Sequence, residues 1–205
     1  MIIDLTHTIS HNMPIHPFDD EVRLYEDKTV AKDKYTNSRL EAGMHTGTHI
    51  DAPRHFIDGS TYIGDFTPER FIGNGCLLDV LGEVVISYKP ELDERIQENS
   101  IVLLYTGFGE LYSKGYYENA DSHPTIDAAF AELLAAKKVK MLGIDTPSPD
   151  HYPYNIHNML FANGIFILEN LTNLDKLLGI PCFEVIALPL KINAEASLVR
   201  AIARY

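Results

Sequence analysis

The sequence predicts an α/β domain, and three observations carry that expectation. Five short apolar runs read as buried strands. One longer segment has the spacing of an amphipathic helix. The composition, 45% hydrophobic and 22% charged over 205 residues, is that of a globular chain able to close a core. No internal repeat, low-complexity tract or linker-like stretch interrupts it, so residues 1–205 read as a single domain.

Taken in chain order, the strand candidates are Cys76–Val80, Ile101–Tyr105, Lys140–Ile144, Gly164–Leu168 and Glu184–Leu188. Each is a few residues long, rich in Val, Ile and Leu, and ends at Gly, Asp, Pro, Thr or Glu, the pattern of a strand covered on both faces. Thr125–Lys138 reads as a helix. Pro124 precedes it, and Ile126, Ala129, Phe130, Leu133 and Leu134 recur at offsets of three and four. Leu92–Asn99 and Leu171–Leu178 are weaker helix candidates. Strands mixed with helices define the class, while strand order is not encoded locally.

Charge and composition exclude several functions. The formal net charge is −12, which repels phosphates, so no nucleic-acid partner is expected. No apolar stretch approaches the ~20 residues that span a bilayer. The start, Met-Ile-Ile-Asp-Leu-Thr-His, lacks the basic and apolar regions of a signal peptide. Cys76 and Cys182 are far apart in sequence and read as reduced, small core residues of a cytoplasmic protein.

Chemistry concentrates in His45-Thr-Gly-Thr-His49-Ile-Asp51-Ala-Pro-Arg-His55. Imidazole nitrogen and carboxylate oxygen are the usual donors to zinc and similar divalent ions. The β-branched residues, Gly47 and Pro53 disfavour a helix here. On an extended strand, residues four apart lie ~13 Å from one another, too far to share one ion. The chain must therefore bend between His45 and His49, and Gly47 is the natural place. His49 and Asp51, two apart, then chelate from one face. Pro53 turns His55 aside, which makes it the least certain ligand and the best proton-transfer candidate.

Two carboxylates end apolar runs. Glu169 follows Ile165–Leu168, and Asp145 ends its own run. A carboxylate there is costly to desolvate without a cation or several donors, yet strand-end solvation or helix capping explains either one equally simply. His157, in a stretch rich in Pro, Tyr and Asn that reads as a loop, is open in the same way.

The segment H-T-G-T-H-I-D-A-P-R-H-F resembles the signature of the cyclase-like metal-dependent hydrolases, a family that includes bacterial kynurenine formamidase and isatin hydrolase. Similar segments run along the chain: I-I-D-L-T-H-T-I-S-H-N-M-P at the start, L-L-Y-T-G-F at 103–108, G-I-D-T-P-S-P-D at 143–150, H-N-M-L at 157–160, I-L-E-N-L-T-N-L at 167–174 and the closing A-L-P-L-K-I. The resemblance implies a compact α/β domain of the swivelling β/β/α type with a mixed sheet, usually a homo-oligomer. It implies that His45, His49 and Asp51 bind one divalent ion, that Asp51 reaches a second, that His157 binds the second, and that Glu169 bridges both. His55 falls on the proton donor and acceptor. The family formamidases carry a Trp after the M-P-x element, whereas here Met13-Pro-Ile is followed by His16 and the chain has no Trp.

The expected activity is hydrolysis of a small amide by water activated between two ions, zinc by default and manganese next. An arylformamide such as N-formylkynurenine would give an amine and formate. The alternatives are ring opening of a cyclic amide or lactone, a hydro-lyase or cyclase role, and a metal-binding module without turnover. Phe18, Phe56, Tyr62, Phe108 and Phe161 are aromatic candidates for the pocket wall, though ordinary packing explains any one of them.

Overall fold

The computed structural model describes residues 1–205. In chain order the elements are β1 (Ile2–Asp4), β2 (Arg23–Lys28), α1 (Val30–Asp33), β3 (Asn37–Glu41), β4 (His49–Asp51), β5 (Ile72–Asp79), β6 (Val85–Ile86), α2 (Pro90–Arg95), β7 (Ile101–Tyr105), β8 (Thr125–Ile126), α3 (Ala128–Ala136), β9 (Met141–Ile144), α4 (Asn155–Ala162), β10 (Phe166–Glu169), β11 (Phe183–Pro189) and β12 (Ala196–Arg204). Eight of the strands form one mixed sheet in the order β1-β12-β11-β5-β7-β9-β10-β4. β5, β7, β9 and β10 run parallel, and β4, β11 and β12 join antiparallel. β4 pairs with β10 on one side and with β12 on the other, so the sheet closes on itself. The class is α/β with a mixed sheet, as the sequence predicts.

The alternation of side chains divides the core in two. Ile101, Leu103, Met141, Phe166, Leu168, Val185 and Ala201 point to one face and pack together inside the ring. Val102, Leu104, Leu142, Ile144, Ile165 and Ile167 point to the other face, where Phe130 and Leu134 of α3 and Leu160 and Phe161 of α4 cover them. Burial on both faces explains why β7, β9 and β10 read as continuous apolar runs. Removing one such side chain, for example by Leu103→Ala, costs about 2–5 kcal/mol. The β2–β3 hairpin projects from this body with nearly every residue exposed.

The sequence places seven of these sixteen elements, β5, β7, β9, β10, β11, α2 and α3, and several of their ends shift. Ile101–Tyr105 is β7 residue for residue. β5 begins four residues before Cys76 because Ile72–Gly75 pair with β11. The helix predicted over Thr125–Lys138 is shorter: Thr125 and Ile126 pair with Val85 and Ile86 as β8, and the Asp127 side chain caps α3 by accepting from the Phe130 N–H at 2.9 Å. Leu92–Asn99 shrinks to α2, which opens on Pro90. Leu171–Leu178 contains only a 3-10 turn, Leu174–Leu177. The stretch around His157, expected as a loop, is the helix α4. Cys182 is exposed, not in the core. No helix is long and apolar enough to cross a membrane.

Candidate metal centre

Local backbone geometry sets the early histidines. Gly47 has φ +59°, in the left-handed region that favours glycine, so the chain turns between His45 and His49 where the sequence requires it. A Cβ on Gly47 would also lie 2.9 Å from the Met13 methyl. After the turn, β4 presents His49 and Asp51 on one face and sends Ile50 into the inner core.

Strand register brings in the late carboxylate. In the β4–β10 pair His49 stands opposite Glu169, and directly opposite residues of an antiparallel pair share a face. His49 Nε2 lies 3.3 Å from Asp51 Oδ1 and 3.4 Å from Glu169 Oε2. His45 Nδ1 is 2.8 Å from Asp51 Oδ1. A one-residue slip of β4 would turn His49 and Asp51 into the core instead.

α4 supplies the remaining imidazole. His157 is buried on the helix face that packs on the sheet, with Nε2 at 3.7 Å from Glu169 Oε1. Asp150 holds that ring: its Oδ1 is 2.6 Å from His157 Nδ1, while its Oδ2 accepts the Ile156 N–H at 2.7 Å. His49 is held likewise, its Nδ1 donating to the Gly47 carbonyl at 2.8 Å. The Asn170 amide donates to the same carbonyl at 2.9 Å, and the buried Tyr116 hydroxyl donates to Asn170 Oδ1 at 2.7 Å. Such outer partners fix which ring nitrogen faces a cation.

His45, His49, Asp51, His157 and Glu169 thus form two triads that share Asp51, His45–His49–Asp51 and Asp51–His157–Glu169. The fit to metal ions can be tested on the atoms themselves. His49 Nε2, Asp51 Oδ1 and Glu169 Oε1 are buried and satisfied by no well-oriented hydrogen bond, although His45 Nδ1 stands 2.8 Å from Asp51 Oδ1. Orphaned buried polar atoms are rare in native proteins, and a cation among them would satisfy all three. His55 is at the rim, its side chain partly open, with Nε2 4.0 Å from Asp51 Oδ2 and its ring centre 4.2 Å from that of His45.

Electrostatics follow from crowding charge in a dry place. Burial raises the Asp51 carboxyl, but His45 and His49 outweigh it and hold the group well below the usual range. Burial and then the Asp51 charge push Glu169 up. Burial opposes charging of His45 and His157, yet neighbouring carboxylates raise both to about 9. His55 goes the other way. Desolvation, aided by the nearby imidazoles against the pull of Asp51, lowers it to about 4, so it is neutral near pH 7.

These groups open into a cavity of about 520 Å³. His16, Phe56, Tyr117, His123, His151 and Tyr154 are among its walls. Of the aromatic candidates only Phe56 lines it. Phe18 is 93% exposed, Tyr62 lies under the Arg54 guanidinium at 4.2 Å, and Phe108 and Phe161 are buried in the hydrophobic core. Asp145 is a clasp between strand ends, accepting from Thr106 Oγ1 at 2.6 Å and from the Gly107 N–H at 2.9 Å. Sequence reasoning missed Asp150 and also Glu195, whose Oε1 lies 3.3 Å from His45 Nε2. A carboxylate seven residues before a candidate ligand was the only signal for the former, and none existed for the latter.

Comparison with known proteins bears on the same site. A family model described as Putative cyclase matches residues 3–151. Kynurenine formamidase of Bacillus cereus is 30% identical over 208 aligned residues, covering 98% of this chain and 96% of that protein. Kynurenine formamidase of Bacillus mycoides is 34% identical over 170, covering 81% and 78%. Among solved structures, isatin hydrolase A from Labrenzia aggregata, bound to benzyl benzoate, superposes with a TM-score of 0.86 at 27% identity, over 99% of this chain and 93% of that one. An isatin hydrolase bound to the product analogue thioisatinate gives 0.88 at 24% identity, over 100% and 92%, a likeness of fold.

Proposed function

The chain belongs to the putative-cyclase family, and on that premise we propose that it is a metal-dependent amide hydrolase acting on a small arylformamide. The observation that carries the reading is the meeting of two distant segments, 45–51 and 157–169, in two triads of ligand-type atoms, three of them buried without a well-oriented hydrogen bond. In this reading His45, His49 and Asp51 hold one divalent ion, and Asp51, His157 and Glu169 hold a second. Mixed nitrogen and oxygen donors suit zinc first and manganese next. When bound, such ions supply Lewis acidity and a water whose pKa falls from ~15.7 toward ~7.

The chain's own groups do the rest. Phe56 and Tyr154 wall one side of the cavity and exclude solvent from the scissile bond. His55, neutral near pH 7, takes a proton at Nε2 from the attacking water. It returns that proton to the departing nitrogen, because an amine leaves poorly unless protonated. Asp150 and the Gly47 carbonyl keep the rings of His157 and His49 in the ligating orientation. Formate and an aryl amine are the products.

Ring opening of a cyclic amide is the second reading. It is favoured by the likeness to isatin hydrolase A and by His16, which stands after Met13-Pro-Ile in the cavity wall. A homo-oligomer in the cytoplasm, taking small molecules and neither nucleic acid nor membrane, completes the proposal. The test is a hydrolysis panel of N-formylkynurenine, isatin and simple lactones with metal-reconstituted protein, alongside elemental analysis. Formate release with about two equivalents of divalent ion supports the first reading, and isatin opening supports the second. His49→Ala must lose most of the bound metal; full retention would remove His49 from the ligand set.

A further inference from the structure

Gly75 of β5 stands opposite Phe183 of β11 in an antiparallel ladder that runs Ile72↔Ile186, Gly73↔Val185, Asn74↔Glu184 and Gly75↔Phe183. The ladder ends there; one further step in the same register would set Cys76 opposite Cys182, just ahead of β11, and these are the only two cysteines in the chain. We propose that Cys76 and Cys182 are a cross-strand dithiol that closes to an intramolecular disulfide by exchange with a small disulfide, locking the start of β11 to β5.

Three observations beyond the register support the pair. The first is side-chain parity. Phe183 belongs to the inner core, and its ring occupies the space where a Gly75 side chain would point. The next residues, Cys76 and Cys182, therefore point to the other face of the sheet. The second is a shared cavity of about 490 Å³, separate from the metal centre, which both cysteines line. Directly opposite residues of an antiparallel pair have Cβ atoms about 4.5–5.5 Å apart, and a disulfide needs about 3.5–4.5 Å, so closure asks for a small approach. The third is local freedom. Pro181 has no N–H to extend the ladder, so the chain is released from backbone pairing just before β11. The one hydrogen bond of Cys76 Sγ is to the Arg95 carbonyl, at 3.5 Å, a weak bond that yields readily.

The two thiols differ in the way a two-step exchange requires. Cys182 is exposed, while Cys76 is partly buried and burial pushes its thiol up. The Cys182 thiolate attacks one sulfur of a low-molecular-weight disulfide, forming a mixed disulfide and releasing one small thiolate. Cys76, losing its proton, then attacks the Cys182 sulfur and releases the second. The protein dithiol is oxidised by two electrons, one small disulfide is reduced to two thiols, and the two protons end on them.

The test uses the purified full-length protein with its metal, incubated with oxidised glutathione. Both thiols should become unreactive to alkylation together. The intact mass should fall by two hydrogens with no glutathione retained, and a digest should yield Cys76 joined to Cys182. Closing a loop of this length should raise Tm by several degrees, reversed by a reducing thiol. Cys76→Ser should stop at a glutathione adduct on Cys182. A wild-type protein that stops at that adduct, keeps both thiols alkylatable, or links two chains instead would overturn the proposal.

Discussion

His55 and Asp150 flank the candidate centre without belonging to either triad, which makes them the sharpest residue-scale tests. His55 sits at the rim, 4.0 Å from Asp51, and neither triad includes it. His55→Ala should therefore leave the metal content intact while lowering kcat by about 10²–10⁴-fold, the range for loss of a proton-transfer group; kcat near wild type would remove it from that role. Asp150 touches His157 Nδ1 and the Ile156 N–H, so it positions a candidate ligand. Asp150→Asn keeps an acceptor for the helix and loses the charge behind the ring. Metal affinity, measured by chelator competition, should drop about 10–100-fold, while the far-ultraviolet spectrum stays unchanged.

At the scale of elements, α3 shows how a single side chain sets a boundary. The apolar spacing from Ile126 to Leu134 predicts a helix from Thr125, but Thr125 and Ile126 pair as β8, and the helix starts only after Asp127. Asp127→Ala should destabilise the protein by about 1 kcal/mol, read as a lower urea midpoint, while Asp127→Asn should be nearly neutral. The same contrast explains what was legible. β7, β9 and β10 announced themselves because both faces are covered, and the turn at Gly47 followed from the reach of two imidazoles. β12 did not, because Arg200 and Arg204 face outward between buried Val199, Ala201 and Ala203, so it alternates and shows no continuous apolar run of the kind that marks the strands covered on both faces. α4 did not either. Its eight residues begin with polar groups, and its start depends on Asp150, a contact that sequence spacing does not reveal. The meeting of His49 with Glu169 is a matter of strand register, which no local pattern encodes; the family signature alone linked them.

For the molecule as a whole, titration of buried imidazoles shapes stability. Burial lowers His7 and, with a partly opposing carbonyl contact, His123 to about 4, against 6.5 when unfolded. Between those values the unfolded chain binds more protons, so stability is full above 6.5 and declines toward pH 4. His45 and His157 are raised to about 9, so their contribution is full below 6.5 and is lost as pH climbs through 9. Chelator-treated protein should thus be most stable near pH 6.5, with urea midpoints falling on both sides. Saturating divalent ion should abolish the alkaline decline, because deprotonated imidazoles are the form that ligates; an unchanged alkaline limb would refute the coupling. The three residues of β4 have a further role. They join β10 to β12 and so make the ring continuous, and two of the three are candidate ligands. Loading the centre would therefore rivet β4 to β10, one of the two seams that β4 makes, and chelation should speed amide hydrogen exchange along that seam before it does so elsewhere in the ring.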